Sequence, residues 1–194
     1  VPTPIGNLGD ITIRAQNILS SVDAILCEDT RRTLKLLNHL NIKNKLISFN
    51  EHSEEKKISN IIDQIDEKSF ALVSDAGTPS VSDPGAKLIR ALLKNKKRVV
   101  PLPGASSLTT AYSASGLKKG DFLFLGFPPK KSQEIKLLLN ELNHINKDII
   151  FFESPLRVGR FLQLLRSEFE NSNIMIFREI SKLHEEILLW EPNK

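Results

Sequence analysis

The sequence predicts an α/β fold with a mainly parallel sheet, and three observations lead there. Short aliphatic or β-branched runs alternate with stretches of helical periodicity along almost the whole chain. The connections between them carry clusters of glycine, proline and aspartate. Aromatic residues make up only 6% of the 194, and ten of them are phenylalanine, so the core is aliphatic. Strand–helix alternation of this kind builds crossover units, whose strands pair in parallel.

In the first half, residues 24–27, 46–49, 70–73 and 98–101 read as strands, each a short run of aliphatic or β-branched side chains. Helical spacing falls on 12–21, 31–40, 54–65 and 84–94; Ile58, Ile61, Ile62 and Ile65, for example, make one stripe at i, i+3, i+4 and i+7. Asp83-Pro84 offers an N-cap followed by proline at the first helical position. A helix-like run over 105–115 ends at Gly116, and 116–120 reads as a linker. A second series comes after it, with strands expected at 122–125, 148–152, 174–177 and 187–190. Helices are expected at 133–145 and 155–169, the latter with Ser154 placed to cap it. Two α/β domains result, 1–116 and 117–194. Turn-forming residues begin at Pro2 and the last strand lacks successors, so a fragment with an incomplete second domain is expected.

Composition excludes several classes. Hydrophobic residues at 40% and charged residues at 26% suit a globular chain with a core. No window approaches the ~18 consecutive apolar residues of a membrane span, and no secretory leader pattern is visible. Cys27 is alone, without a disulfide partner or metal-ligand spacing. A cytoplasmic protein with no membrane role is the expectation. The histidines at 39, 52, 144 and 184 show neither metal spacing nor a serine-elbow motif. The net charge of +4 is carried partly by lysine clusters: Lys56-Lys57, Lys94 with Lys96-Lys97-Arg98, Lys118-Lys119 and Lys130-Lys131. Each cluster by itself reads first as solvated loop or helix-end charge, and together they permit a polyanionic partner such as RNA.

Chemistry is expected at the carboxyl ends of the strands, where open α/β sheets bind ligands. Residues 74–85, Ser-Asp-Ala-Gly-Thr-Pro-Ser-Val-Ser-Asp-Pro-Gly, leave one strand and feed the next helix. That is longer than the two to six residues a plain connection needs, and the loop combines rigid backbone with carboxylate acceptors. Residues 101–107 likewise leave a strand and present Ser106 and Ser107 at a helix start, where backbone N–H groups are free for an anion. At the amino end, 2–10 form a stiff polar turn with neither a dinucleotide nor a P-loop glycine pattern. Glu28-Asp29-Thr30-Arg31-Arg32 and Glu153-Ser154-Pro155-Leu156-Arg157 each place acids at a strand end with arginine nearby. Both suit substrate contacts, and both suit helix capping and local ion pairing.

PTPIGNLGDIT, EDTRRT, SDAGTPSVSDPG, VVPLPGASS, Gly126-Phe127 and ESPLR arrive in the order and rough spacing of one group. From Pro2 to about Glu185 the chain resembles the ribosomal RNA small subunit methyltransferase I group of the tetrapyrrole-methylase superfamily. The resemblance implies two α/β domains of the class III methyltransferase type, with S-adenosylmethionine in the cleft between them. It places the cofactor on Pro4 and Ile5, on Asp75, Gly77 and Thr78, and on Ser106 and Ser107. It implies 2′-O-methylation of a cytidine in 16S ribosomal RNA or the small subunit, by a homodimer. Asp29 and Glu153 are then the candidates for a general base, and Arg31, Arg32 and Arg157 for RNA phosphate contacts. The PTPIGNL turn argues against the superfamily's tetrapyrrole and diphthine chemistries; a cofactor-binding protein without catalysis is the remaining alternative.

Overall fold

A computed structural model of the chain describes residues 1–50, 54–117, 120–169 and 172–190. His52, the Lys56 side chain, Lys118-Lys119 and the tail after Trp190 lie outside the described residues. Three buried or half-buried aliphatic runs become strands: β1 (Ala24–Cys27), β2 (Leu46–Ser48) and β3 (Phe70–Val73). They form a parallel sheet in the order β2-β1-β3, with Ile25 opposite both Leu46 and Ala71. β1 is central and buried along its whole length, which is why it reads as a continuous apolar run and not an alternating one.

Side-chain alternation sorts this sheet into two apolar faces. Ile25, Cys27, Ala71 and Val73 face one way and meet Ala15 and Leu19 of α1 (Ile13–Ser21) and Leu36 and Leu37 of α2 (Thr30–His39). Leu26, Phe70 and Leu72 face the other way, toward Ile61 of α3 (Glu54–Gln64) and Leu88 and Leu92 of α4 (Ala86–Lys94). Each fully buried leucine contributes about 1.5–3 kcal/mol of transfer free energy. This double cover leaves only the strand ends for chemistry.

Two local expectations fail for identifiable reasons. Residues 98–101 are not a strand; Pro101 and Pro103 supply no N–H to a ladder, and Val99 and Leu102 pack against the apolar clusters without the backbone joining the sheet. α4 starts at Ala86, not Pro84, because Gly85 takes the N-cap position at φ 127°, with no side-chain cap. Thr12 does cap α1, its Oγ1 accepting from the Ala15 N–H at 3.0 Å.

The chain divides into two compact units, Val1–Ser107 and Leu108–Lys194. Sequence punctuation puts the boundary at Leu117, after α5 (Ser107–Ala114). The difference has a packing cause: Tyr112 of α5 packs on Phe122, with ring centroids 4.5 Å apart and the planes tilted by 43°, so most of the helix goes with the second unit. In that unit β4 (Phe122–Phe124) and β5 (Asp148–Ile150) pair in parallel. α6 (Ser132–Leu142) and α7 (Val158–Glu168) bury Ile135, Leu139, Leu142 and Phe161 against them. α7 begins after a turn over 155–157, with Arg157 at the N-cap; Ser154 contributes its carbonyl to that turn, not its hydroxyl to a cap. β6 (Ile174–Arg178) and β7 (Glu186–Trp190) make an antiparallel hairpin. No described helix is long and apolar enough to cross a membrane.

Candidate functional site

The carboxyl edge of the β1–β3 sheet gathers loops that are far apart in sequence. The Thr3 N–H donates to the Gly77 carbonyl at 2.9 Å and the Gly77 N–H returns to Thr3 at 3.0 Å, a single antiparallel bridge. The buried Thr3 hydroxyl donates to the Ser74 carbonyl at 3.1 Å, and the Ser74 hydroxyl to the Gly77 carbonyl at 3.1 Å. Thr78 Oγ1 donates to the Ala105 carbonyl at 3.1 Å, tying the 74–85 loop to the entry of α5. Pro4, Ile5, Gly77, Thr78, Ser106 and Ser107 are thereby drawn to one edge of the first unit. Gly77 is in the left-handed region at φ 82°, and a Cβ there would sit 3.3 Å from Ile5 Cγ2. Any side chain at 77 is both strained and crowded, so glycine is required by the loop itself.

Asp75 and Asp29 link the loops after β3 and β1. Asp75 Oδ1 accepts from the Asp29 N–H at 3.1 Å, and its Oδ2 lies 3.4 Å from Arg32 Nη1. Asp29 caps α2, Oδ1 accepting from the Arg31 N–H at 2.8 Å. Its two oxygens also take a forked pair from the Arg31 guanidinium, at 3.0 and 2.7 Å. The Arg31 side-chain and backbone hydrogen bonds hold the Asp29 carboxyl well below the usual carboxylate range. A carboxylate held so low is a weak proton acceptor; its geometry suits orienting Arg31 and the start of α2.

Asp83 is the opposite case. Burial, then the neighbouring charges of Glu28 and Asp75, push its carboxyl up to about 6. A half-buried acid among like charges is a recognised mark of functional edges, and this one was not among the sequence candidates. Two aspartates in the loop were visible in the sequence; the through-space approach of Glu28 was not.

Glu153 and Arg157 belong to the second unit. The Glu153 side chain is buried, with Oε1 accepting from the Ser154 N–H at 2.6 Å and from Arg157 Nε at 2.8 Å. Arg157 also donates to the Pro128 carbonyl at 3.2 Å. Cys27 is buried, and burial pushes its thiol up, so it does not supply a nucleophile. Among the described residues no group of three or more His, Cys, Asp or Glu side chains is disposed to hold a metal ion.

Comparison with known proteins bears on this edge. Residues 1–191 match the family of Tetrapyrrole (Corrin/Porphyrin) Methylases. The chain is 49% identical over 190 residues to the ribosomal RNA small subunit methyltransferase I of Hydrogenobaculum sp., covering 97% of this chain and 82% of that protein. It is 43% identical over 189 residues to the protein of the same name from Halalkalibacterium halodurans, covering 97% of this chain and 65% of the relative's length. In fold it is similar to the uroporphyrin-III C-methyltransferase of Thermus thermophilus complexed with S-adenosylhomocysteine. The TM-score is 0.64 at 16% identity, covering 99% of this chain and 86% of that one.

Proposed function

This chain belongs to the tetrapyrrole methylase family, and we propose that it is an S-adenosylmethionine-dependent methyltransferase acting on the 2′-hydroxyl of a cytidine in 16S ribosomal RNA. The observation that carries the reading is the meeting of 2–6, 74–85 and 102–107 at one sheet edge, in a chain whose relatives bear the name of a small-subunit RNA methyltransferase. The residues fit the cofactor. The first-turn N–H groups of α5, beside Ser106 and Ser107, suit a carboxylate. Asp75 offers an acceptor for hydroxyl or ammonium protons, and the combined charge of Glu28, Asp75 and Asp83 favours a sulfonium cation. Pro4, Ile5, Gly77 and Thr78 supply the stiff wall.

When bound, S-adenosylmethionine supplies an electrophilic methyl group. The chain's own contribution is to hold the acceptor ribose in line and to exclude water, for which positioning alone can provide ~7–11 kcal/mol. A ribose hydroxyl attacks well only as its proton leaves. Of the acids on the first unit's edge, Asp83 is the one that burial and neighbouring charge make a better proton acceptor, while Asp29 orients Arg31; in the second unit Glu153 orients Arg157. Arg31, Arg32 and Arg157 pair with phosphates by exchanging partners with these acids. The protein works in the cytoplasm, on naked 16S RNA or the small subunit, as a homodimer.

The test is methyl transfer from labelled cofactor to small-subunit RNA. Label is expected on a cytidine 2′-oxygen, with none transferred to an oligonucleotide carrying 2′-deoxycytidine at that position. Label on the base of the deoxy substrate would exclude the ribose assignment. A second expectation concerns the cofactor alone. A sulfonium placed against Asp83 lowers its pKa, so binding at pH 6 releases a fraction of a proton and binding at pH 8 releases none. Calorimetry in buffers of different ionisation enthalpy reads this directly; S-adenosylhomocysteine, which lacks the cation, should release less. Equal release by both ligands would place the sulfonium away from Asp83.

A further inference from the structure

Arg31, Arg32 and Arg157 are each engaged with an acid of their own chain, so an RNA backbone must displace Asp29, Asp75 or Glu153 to reach them. A different basic surface lies on an element that carries no acid of its own. α4 reads Ala-Lys-Leu-Ile-Arg-Ala-Leu-Leu-Lys, three cations and no acid. Lys87, Arg90 and Lys94 stand at i, i+3 and i+7, along one side of the helix. The helix dipole accounts for Lys94 in the last turn and disfavours Lys87 in the first, so end-charge compensation does not explain the set. Leu88 and Leu92 are turned into the sheet, whereas Leu93 is 59% exposed.

Beside these cations runs an open groove of about 600 Å³, lined by Ser80, Ala86, Ile89, Arg90, Leu93 and Lys94. Its wall therefore combines three apolar side chains with two exposed positive ones. Ser80 belongs to the 74–85 loop that carries Asp75, Gly77 and Asp83, and it is held at φ 67°. Its Oγ lies 2.8 Å from where a Cβ on Gly85 would stand, so the loop folds back onto the start of α4. The groove thus takes one wall residue from the loop whose other end carries Asp75 and Gly77.

We propose that this groove carries the single-stranded RNA flanking the target nucleotide, with Arg90 and Lys94 on phosphates and Ala86, Ile89 and Leu93 against a ribose or base. The assignment rests on the reading of the chain as an RNA methyltransferase. Charge complementarity selects a polyanion, and the apolar wall selects one whose sugars and bases are unpaired and free to pack. A duplex would present only its phosphates.

The experiment measures binding of a labelled single-stranded small-subunit RNA fragment by anisotropy across a salt series, for the unaltered chain, Arg90→Gln/Lys94→Gln and Lys43→Gln/Lys45→Gln. Two phosphate contacts on a single strand contribute ~1.4 to the slope of log affinity against log salt. The α4 pair should lose that much slope and bind roughly tenfold more weakly at 0.1 M salt. S-adenosylmethionine affinity, by calorimetry, should stay within about twofold because the substituted side chains lie outside the cofactor loops. The Lys43/Lys45 pair, which removes the same charge from another exposed surface, should leave the slope unchanged. A charge-retaining Arg90→Lys/Lys94→Arg chain should bind RNA as the unaltered chain does. Equal slopes for the α4 pair and the unaltered chain overturn the groove assignment, as does an equal loss in the Lys43/Lys45 pair. If the α4 substitutions instead change self-association in ultracentrifugation and leave RNA binding intact, the groove serves a protein partner and the proposal fails. Failure of the unaltered chain to bind RNA at any salt concentration overturns the RNA reading itself, which is a separate result.

Discussion

Replacing Gly85 with alanine lowers the stability of the first unit by about 3 kcal/mol, combining backbone strain of ~1–3 with overpacking of ~1–3. Gly85 is buried at φ 127°, a conformation that L side chains rarely adopt. An added Cβ would stand 2.5 Å from Leu72 Cδ2 and 2.8 Å from Ser80 Oγ. Leu72 packs with the α3–α4 side of the sheet and Ser80 belongs to the 74–85 loop, so relief in either direction disturbs β3 or that loop. Urea unfolding of Gly85→Ala measures the loss. Gly159→Ala is the control: it lies near the start of α7 with nothing within 4 Å of the new Cβ, and it should stabilise by up to ~1 kcal/mol through helix propensity. A Gly85→Ala chain within ~0.5 kcal/mol of the unaltered one would mean that the loop does not close on β3.

Gly85 also shows where reading from sequence succeeds and where it stops. β1 is legible to the residue because a central parallel strand buries both faces and leaves an uninterrupted aliphatic run, and β3, at the sheet's edge, because Phe70–Val73 is a short apolar run closed by the turn residues of the 74–85 loop. The stripes of α1, α2 and α3 are legible because their periodicity is local. Asp83-Pro84 carries a local helix-start signal too, but closure of the loop on Leu72 and Ser80 moves the start to Ala86. Residues 98–101 have strand composition, and the prolines at 101 and 103 cancel it. The candidate site divides in the same way. Its loops follow from strand ends and motif order, and Asp29 with Arg31 matches the capping alternative that the spacing left open. The bonds Thr3–Gly77 and Thr78–Ala105 join residues far apart in the chain, and no spacing rule reports them. Asp83 was missed because its property depends on Glu28 and Asp75, brought near only by folding.

Replacing Asp83 with asparagine slows methyl transfer to RNA by about 10²–10⁴-fold, the usual weight of a positioned general base. It does so while making the protein more stable at pH 8. The two effects share one cause. The Asp83 carboxyl is raised from 3.8 to about 6, first by burial and then by Glu28 and Asp75. Folding therefore favours its protonated form, and keeping it ionised above pH 6 costs stability; the cost fades as pH falls from 6 toward 4. The full shift corresponds to ~3 kcal/mol, but the group is about half exposed, and solvent screening reduces this to about 1 kcal/mol. Asparagine removes the charge, so the variant should gain about that amount at pH 8 and nothing at pH 4. In the chain carrying aspartate, kcat/KM for the cofactor should climb with pH through about 6 as the base ionises in the free protein. That rising limb should be missing from the residual activity of Asp83→Asn. Stability curves at the two pH values and a pH–rate profile separate this from a packing role. A residue that merely filled space would lose stability and activity together and keep the limb. The assignment of Asp83 as the base is lost if the variant is slow yet still shows the limb near pH 6, and the proton acceptor then lies elsewhere on the edge.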